Sequence, residues 1–542
     1  MKPLLKRCLV PVYIAFALLL FAKYFWSYFE FPGVPFGYDA GIYRYLFITH
    51  ARGFPPFDLA ALPPWAAVHP LGLFFFSSIA LKLGVPADAL IGWFWNLFPI
   101  LLAGALSWVF YKSAGRWMGA AVLLVALVSV VQYQGFLMIY WKVFAALLWC
   151  TFAFFSYERR SPLWILFGML TVATHQQIGL IFGLAIVSSI IVKAVTQKKP
   201  WPALKDFGLF LVSGVLGMLW YLPNYSESIG SILPLLSRPA VGLGIFAVLA
   251  FGVLIMISFL ISANVKWWIL AGCIVVGFLL LLLPFSGNAP SSVANFLAKS
   301  RSTDPGAFLS VEDYLRLSSP LLLLGIFGLG LFFRQNPGSP WVFAAIWPGL
   351  AVISMFFFYR RFILPLDFFL IPPAAMSLVW MWRHKKRAVN VLAIIVLAAQ
   401  GGLLLYQMRT IDPHVEARTL KEFALLADAV TPGSSVVVLD NMTPWVVGFL
   451  PDAKVSGPGI FDSLPLDDWK KFLFGNHGER LEFFDKYPAG TYFYATDVFR
   501  TYYPPEVQSL LQDPCLKPAG AEGLYVLSFA LFGCQWPESA GQ

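Results

Sequence analysis

The sequence predicts a polytopic α-helical membrane protein of about thirteen transmembrane helices with a small C-terminal α/β domain. Of its 542 residues, 59% are hydrophobic and 12% are charged, whereas soluble proteins carry about 25% charged residues. The apolar residues occur in long runs of about 20, the length that crosses a bilayer. From about Arg409 onward these runs stop and charged residues return to an ordinary frequency. We therefore predict a transmembrane domain over 1–408 and an extracytoplasmic α/β domain over 409–542.

The basic residues orient the predicted spans through the positive-inside rule. The N-terminus has a basic start and an apolar core without a small-residue cleavage site, which predicts a retained first helix with a cytoplasmic N-terminus. The basic run 383–387 is the strongest cytoplasmic anchor. Alternation of the spans then places the C-terminal domain outside. We expect an integral protein of a bacterial inner (plasma) membrane, surrounded by membrane lipids.

One long apolar segment, 163–192, agrees with the positive-inside rule only if it forms two helices and not one. As a single helix it would put the following lysines on the outer side, whereas a break at Thr174-His175-Gln176-Gln177 returns them to the cytoplasm. We therefore predict two helices there. The predicted spans are about 9–29, 89–111, 118–131, 138–156, 163–192 as two, 207–222, 241–261, 267–283, 317–333, 341–358, 362–382 and 389–406.

The C-terminal segment has the pattern of a globular domain of roughly 130 residues. Helices are predicted at about 415–430, 466–473 and 478–486, and strands at 434–440, 491–495 and 524–531. Cys515 and Cys534 flank the last apolar run, and a disulfide between them is expected if this end faces an oxidising compartment.

Two long loops are predicted on the outer face, at about 30–88 and 284–316, and the first concentrates polar residues. Loops this long are usually functional. Asp39 lies about ten residues beyond the first span, in GYDAGIYRY. A carboxylate there can act as a general base or hold a divalent metal. It can also cap the short helix that AGIYRYLFI predicts, and the sequence leaves these roles open.

Basic residues at the predicted outer face are candidates for binding a phosphate. A guanidinium binds phosphate through two parallel hydrogen bonds, although interfacial arginines also reach toward lipid headgroups without further function. The histidines in the same region are structural residues more often than ligands. Asp367 is an intramembrane acid and a functional candidate that can pair with one of the arginines. The candidate substrate-binding residues are Arg44, His69, Arg301, Arg360 and Arg361.

Several classes of function are disfavoured by what the sequence lacks. The lysines and arginines form short clusters between apolar spans, so the net charge of +10 does not indicate nucleic-acid binding. The sequence contains no phosphate-cradling GxxxxGK, no GxSxG nucleophile elbow and no HExxH zinc motif. A nucleotide-driven cytoplasmic enzyme is therefore not expected.

The order of residues in the first loop resembles the GT-C superfamily of integral-membrane glycosyltransferases, with a layout nearest the catalytic subunit of oligosaccharyltransferase. The matching residues are Asp39, Tyr43-Arg44, Gly53-Phe54, Phe57-Asp58, Trp65 and Pro70-Leu71-Gly72. The resemblance implies that Asp39 is catalytic and that Tyr43 lies with the substrate-binding residues. It also implies a sugar donor linked to polyprenyl phosphate. The segment 359–373 is similar to the Arg-x-x-x-Pro stretches of other GT-C enzymes.

Two departures from the family pattern bear on the acceptor and on a metal. Peptide-glycosylating members carry WWDYG, where this chain reads DNMTPWVVGF, so transfer to asparagine is not supported. Many members also carry paired acids in the outer loop that follows the first, whereas the corresponding stretch of this chain, VQYQGFLMIYW at 131–141, contains no acid. This difference leaves open whether a divalent cation such as Mg²⁺ or Mn²⁺ is required. The resemblance implies an acceptor at the outer face, and a glycan, a lipid and a protein all remain open. The alternatives are a surface-glycan polymerase or ligase, and a transporter or flippase of lipid-linked glycans that performs no chemistry.

Overall fold

The protein divides into two compact units. The computed structural model describes residues 2–54, 62–67, 69–197, 200–219, 308–353, 359–383, 387–458, 464–528 and 534. The helical unit comprises Met1–Ser27, Pro70–Leu73 and Trp95–Ile411, and the mixed unit comprises Tyr28–His69, Phe74–Phe94 and Asp412–Gln542. The sequence assigned the first loop to the transmembrane domain, but the structure groups most of that loop with the C-terminal domain.

The described residues before 412 are almost entirely helical, and the elements are numbered in chain order. The helices are α1 (Lys2–Glu30), α2 (Ala40–Arg52), α3 (Pro64–Ala67), α4 (Gly72–Lys82), α5 (Ala87–Gly92), α6 (Leu97–Ala114), α7 (Arg116–Val128), α8 (Val130–Leu137), α9 (Trp141–Glu158), α10 (Leu163–Thr174), α11 (Gln176–Gln197), α12 (Pro200–Met218), α13 (Val311–Gln335), α14 (Pro340–Ile353), α15 (Ile363–Arg383) and α16 (Arg387–Arg409). A one-turn 3₁₀ helix, Tyr359–Phe362, precedes α15.

Six helical stretches of the described residues are long and apolar enough to cross a membrane, or seven if the bent pair α7 and α8 counts as one span. The protein is therefore an integral membrane protein. The predicted spans at 241–261 and 267–283 and most of the loop 284–316 lie outside the described residues, so the count of thirteen stays a prediction. Helix α4 is apolar but too short to be counted among these spans.

The buried fraction of each span indicates whether it lies inside the helical unit or at its surface. The apolar window of Tyr359–Arg383 is 89% buried, whereas that of Arg387–Arg409 is only 17% buried. A helix that is apolar all round belongs in the centre of a bundle or against lipid. We therefore place α15 at the centre and α16 at the lipid-facing periphery. Gly328 of α13 lies against the carbonyl of Pro373 in α15, where any side chain would collide with backbone.

Two breaks interrupt the helical unit. His175 has an extended backbone and separates α10 from α11, as the positive-inside rule predicted. Gly168 of α10 lies against Phe182 of α11, and Val172 of α10 lies against Gly179 of α11. The two helices are therefore antiparallel. Ser129 separates α7 from α8 at a bend of 56°. The sequence predicted one span at 118–131, but the helical path continues through this bend to Leu137.

The C-terminal part of the mixed unit is an α/β domain around a five-stranded sheet. Its elements are α17 (Ala417–Ala429), β1 (Ser435–Val438), α18 (Thr443–Phe449), β2 (Lys454–Ser456), α19 (Leu466–Phe474), α20 (His477–Phe484), β3 (Tyr492–Tyr494), α21 (Asp497–Tyr502), α22 (Pro505–Gln508), β4 (Leu516–Pro518) and β5 (Leu524–Leu527). The strand order is β2-β1-β3-β5-β4. Strands β2, β1 and β3 are parallel, and β5 is antiparallel to both β3 and β4.

An aromatic core holds this domain together on one side of the sheet. Phe472 of α19 stacks on Phe483 of α20 with ring centroids 3.9 Å apart, and both helices pack toward Phe493 of β3. Cys515 and Cys534 lie in the same core and form a disulfide, as the sequence allowed. The disulfide joins the start of β4 to the segment beyond β5.

Replacing Cys515 and Cys534 together by alanine should lower the free energy of unfolding by about 3 kcal/mol, because a loop of this length restricts the unfolded chain. Chemical denaturation of the full chain in detergent measures this change. Cys150→Ala is the control, since Cys150 is a buried free thiol in α9 and forms no cross-link. An unchanged denaturation midpoint in the double variant would contradict the expectation.

Candidate functional site

Asp39 lies on the surface of the mixed unit, directly before α2. Its carbonyl accepts the backbone N–H of Tyr43 at 3.0 Å, but its side chain makes no capping hydrogen bond. Asp39 therefore occupies the N-cap position of α2, as the capping alternative predicted, but its carboxylate does not cap the helix. Gly37 makes the preceding turn with a φ of 89°, which favours glycine. The Asp39 side chain is exposed, so it is accessible for chemistry.

The segment before α2 contacts the carboxyl edge of the parallel strands. Tyr38 donates its hydroxyl hydrogen to the carbonyl of Asn441, just after β1, at 2.5 Å. Burial, followed by the charges of Asp39 and Asp440, raises the pKa of Tyr38 to about 12, so this hydroxyl remains protonated at neutral pH. In open α/β sheets, ligands bind outside the carboxyl ends of the strands. Tyr38, the residue before Asp39, therefore contacts the chain just beyond the carboxyl end of β1.

Asp440 fixes the geometry of that edge. Its carboxylate accepts the hydroxyl of Thr496, which follows β3, and the backbone N–H of Met442 at 2.9 Å. It is fully buried, and burial raises its pKa despite these hydrogen bonds. Asp440 thus ties the ends of two neighbouring parallel strands together. Asp440 was not among the predicted site residues, although an acid directly after a buried strand is a signal that the sequence contains.

Helix α2 is held close to α18 by a pair of glycines. A side chain at Gly41 would collide with the backbone of Pro444 and Trp445, and one at Gly448 would collide with the backbone of Gly41. This close approach fixes the start of α2, two residues after Asp39. The carboxylate of Asp39 is therefore mounted on a rigid element.

Arg44 and Arg52 both serve this contact between α2 and the C-terminal elements. Arg44 donates from Nε to Asp88 at 2.7 Å and from Nη1 to the carbonyl of Gly448 at 2.6 Å, and it stacks on Phe449. Arg52 forms a two-pronged pair with Asp452, and its side chain lowers the pKa of Asp452. These contacts favour a positioning role for Arg44. Its phosphate-binding role stays a prediction.

Tyr43 and His69 belong to an aromatic cluster under α2. Tyr43 is buried and packs on Phe47 and Phe74, with ring centroids 5.8 and 6.2 Å apart. His69 meets the edge of Phe74 at 6.3 Å, and His50 stacks on the same ring at 4.9 Å. Burial favours a packing role for Tyr43, and the substrate-binding role of Tyr43 and His69 stays a prediction.

The buried His50 makes the stability of the mixed unit depend on pH. Burial lowers its pKa to about 4, below the value near 6.5 expected for the unfolded chain. The unfolded state therefore binds more protons, and stability present above pH 6.5 is lost as the pH falls toward 4, by about 3 kcal/mol in all.

Denaturation midpoints of the wild type and of His50→Phe, measured at several pH values in that window, test the prediction. The phenyl ring preserves the stacking on Phe74, so the variant should lose stability less steeply as the pH falls. His414→Gln, at an exposed position, is the control and should follow the wild type. Parallel curves for wild type and His50→Phe would contradict the prediction.

The predicted arginines of the helical unit lie in the 3₁₀ turn before α15. Arg360 is 8% exposed and donates from Nε to the carbonyl of Leu309 at 3.2 Å. Its Nη1 is buried and has no hydrogen-bond partner among the described residues. Arg361 is exposed. Arg301 lies outside the described residues.

Arg361 of the 3₁₀ turn and Lys142 of α9 are basic side chains from two elements that lie near the same histidine. The charge of Arg361 and that of Lys142 both act electrostatically on His175, the residue at the break between α10 and α11. Lys142 lies in the first turn of α9, and the neighbouring Tyr140 packs against Phe308, beside the Leu309 carbonyl that Arg360 contacts. Lys142 directly follows VQYQGFLMIYW and was not among the predicted site residues.

Asp367 makes its observed hydrogen bonds away from the arginines. Its carboxylate accepts hydrogen bonds from Ser129, Gln132 and Ser318, and its charge acts on Lys23 of α1. The suggested pairing with Arg360 or Arg361 is therefore replaced by a buried polar network.

A compact group of metal-ligating side chains occurs at His477, Asp513 and Cys515. The Cys515 sulfur is already bonded to Cys534, which removes it as a metal ligand. His477 instead contacts Asp513 at 3.0 Å, beside Arg480. We therefore assign this group a structural role.

Comparison of the whole chain with solved structures identifies its architecture. The chain is similar to the oligosaccharyltransferase of Archaeoglobus fulgidus, solved with Zn and sulfate, with a TM-score of 0.58 and 13% identity over 94% of this chain and 73% of that chain. The chain has the GT-C fold. ArnT from Cupriavidus metallidurans also matches, at a TM-score of 0.40 and 13% identity over 95% and 97% of the two chains. No family model and no curated protein matches the sequence.

Proposed function

We propose that this protein is a membrane glycosyltransferase that moves a sugar from a polyprenyl-phosphate-linked donor to an acceptor at the outer face. The observation that carries the proposal is the buried Arg360, whose Nη1 lacks a partner among the described residues of a GT-C fold. A buried polar group without a partner is costly unless a ligand supplies one. A phosphate oxygen is the natural acceptor for a guanidinium N–H.

The proposed reaction exchanges one bond at the anomeric carbon of the sugar. An acceptor hydroxyl oxygen attacks that carbon, and the bond from the carbon to the phosphate oxygen breaks. The phosphate leaves with the bonding electron pair and carries one more negative charge than in the donor. The hydroxyl proton passes to a general base. The transition state therefore needs a base near the acceptor and cations near the leaving phosphate.

We assign the base to Asp39. Its carboxylate is exposed, and it directly precedes α2, which packs closely against α18. The neighbouring Tyr38 is protonated and does not compete for the proton. The carboxyl edge of the sheet, where Tyr38 contacts Asn441, supports this assignment because ligands gather at such edges.

We assign the binding of the leaving phosphate to Arg360 and Arg361, with Lys142 as an additional cation. A guanidinium binds phosphate with directed hydrogen bonds, and an ammonium acts as a point charge. Neutralising the charge that develops on the phosphate lowers the barrier to its departure. Arg301 is a further candidate for the same role.

The acceptor is proposed as a glycan, a lipid or a protein hydroxyl at the outer face. We place the protein in a bacterial inner membrane with its N-terminus in the cytoplasm. Incubation of the purified protein with radiolabelled polyprenyl-phosphate sugars tests the proposal. Release of labelled sugar, or its transfer to an added acceptor, from at least one donor is expected. Intact donors throughout the panel would overturn the proposal.

A further inference from the structure

The helical unit contains a buried network of charged and polar groups that the proposed chemistry does not use. Asp367 of α15 is 4% exposed. Its Oδ2 accepts hydrogen bonds from Ser129 Oγ at 2.7 Å and from Gln132 Nε2 at 3.0 Å, and its Oδ1 accepts one from Ser318 Oγ at 3.0 Å. Three donors from two neighbouring segments thus converge on one carboxylate.

Lys23 of α1 supplies the positive charge of this network. It is 2% exposed, and its ammonium donates to the carbonyls of Ala126 at 3.0 Å and Ser129 at 2.7 Å. These carbonyls lie at the C-terminal end of α7, where helical partners run out and a cation is favourable. Lys23 therefore satisfies the backbone groups that the bend between α7 and α8 sets free.

Ser129 joins the two charges. Its carbonyl oxygen accepts from the Lys23 ammonium, while its hydroxyl donates to the Asp367 carboxylate. The same hydroxyl oxygen accepts the backbone N–H of Gln132 and so caps α8. The bend of the broken helix is thus fixed by a cation on one side and an anion on the other.

The network also holds the first turn of α15. Gln132 Nε2 donates to the carbonyl of Leu364 at 3.2 Å as well as to Asp367, and Gly135 packs directly against the Leu364 side chain. Leu364 is three residues beyond Arg361 in the chain, and Asp367 is seven residues, or about two helical turns, beyond Arg360. Displacing α8 would therefore shift the turn that carries both arginines.

We infer that Lys23 and Asp367, joined through Ser129, are positioning residues that fix the start of α15 and so orient Arg360 and Arg361 toward an anionic ligand. This inference rests on the proposed function, which gives these arginines a phosphate to bind. Ionisable residues inside a membrane protein are expensive and are commonly functional. Here the expense is offset because Lys23 makes two hydrogen bonds and Asp367 three, and the two charges are opposite in sign.

The test is a double-mutant cycle on Lys23→Met and Asp367→Asn, measured as binding of polyprenyl phosphate to the protein in lipid nanodiscs. Each single variant leaves a buried charge without its counter-charge, and should weaken binding by about tenfold or more. The double variant removes both charges and should bind within about threefold of the wild type. Additive losses, or single variants that bind like the wild type, would overturn the inference.

A milder pair of variants covers the case in which the charge variants fail to fold. Ser318→Ala removes a hydroxyl that α13 donates to Asp367, whereas Ser377→Ala removes one that α15 donates back to the carbonyl of Leu324 in α13. Both serines are buried and link the same two helices. Only Ser318→Ala should weaken binding of polyprenyl phosphate, by a few-fold. Equal effects of the two variants would indicate general packing and overturn the inference.

Arg360→Ala, measured in the same assay, separates failure of this inference from failure of the proposed function. If Arg360→Ala loses binding while the Lys23 and Asp367 variants do not, only the positioning inference fails. If Arg360→Ala binds polyprenyl phosphate like the wild type, the proposed phosphate site fails, and the positioning role fails with it.

Discussion

Asp39→Asn should reduce the turnover of sugar transfer by about 10²–10⁴-fold while leaving the affinity for the donor nearly unchanged. The amide has the size of the carboxylate but cannot accept the acceptor's proton. No capping hydrogen bond is lost, because the Asp39 side chain makes none. The rate of labelled-sugar transfer at saturating donor and acceptor measures the effect.

Asp452→Asn is the matched control for this variant. Asp452 is another exposed carboxylate of the mixed unit, and it is engaged by Arg52. It should retain wild-type turnover. An Asp39→Asn protein that transfers sugar at the wild-type rate would remove Asp39 from the mechanism.

Arg360→Ala should weaken donor binding by about 10- to 100-fold, because a hydrogen bond to a charged group contributes about 1.5–3 kcal/mol. Arg360→Lys should recover only part of this loss, since an ammonium cannot reproduce the planar donor geometry of a guanidinium. The KM for the lipid-linked donor and direct binding of polyprenyl phosphate both report the change.

Arg316→Ala is the control for the loss of an arginine from the same unit. Arg316 is exposed and pairs with Glu312 one turn away in α13. Its removal should leave KM within about twofold of the wild type, since exposed ion pairs contribute little. Similar KM values for Arg360→Ala and the wild type would show that Arg360 does not bind the leaving phosphate.

Local patterns in the sequence predicted much of the fold. The break at His175 followed from lysine placement alone, and the predicted helices and strands of the C-terminal domain match described elements to within a few residues. The disulfide was foreseeable from two cysteines that flank an apolar run. Each of these features depends on residues that are close together in the chain.

The contacts of the candidate site residues could not be predicted from the sequence, because they join residues that are far apart in the chain. Arg44 was predicted to bind phosphate because it is an arginine in the first loop, and that role stays a prediction. No local pattern indicates that it contacts Asp88 and the carbonyl of Gly448. Asp367 was a candidate to pair with a nearby arginine, yet its carboxylate accepts hydrogen bonds from Ser129, Gln132 and Ser318. Tyr38 was passed over because its partner, Asn441, follows a strand in the C-terminal domain.

The central claim is that the protein performs covalent chemistry on a lipid-linked sugar. The most direct test reconstitutes it in vesicles with a doubly labelled donor, with one isotope in the sugar and another in the polyprenyl chain. We expect the two labels to separate, with the sugar label in the acceptor or in water and the polyprenyl label in an equal amount of free polyprenyl phosphate. Movement of the intact, doubly labelled donor across the bilayer without cleavage would contradict the account and identify a transporter.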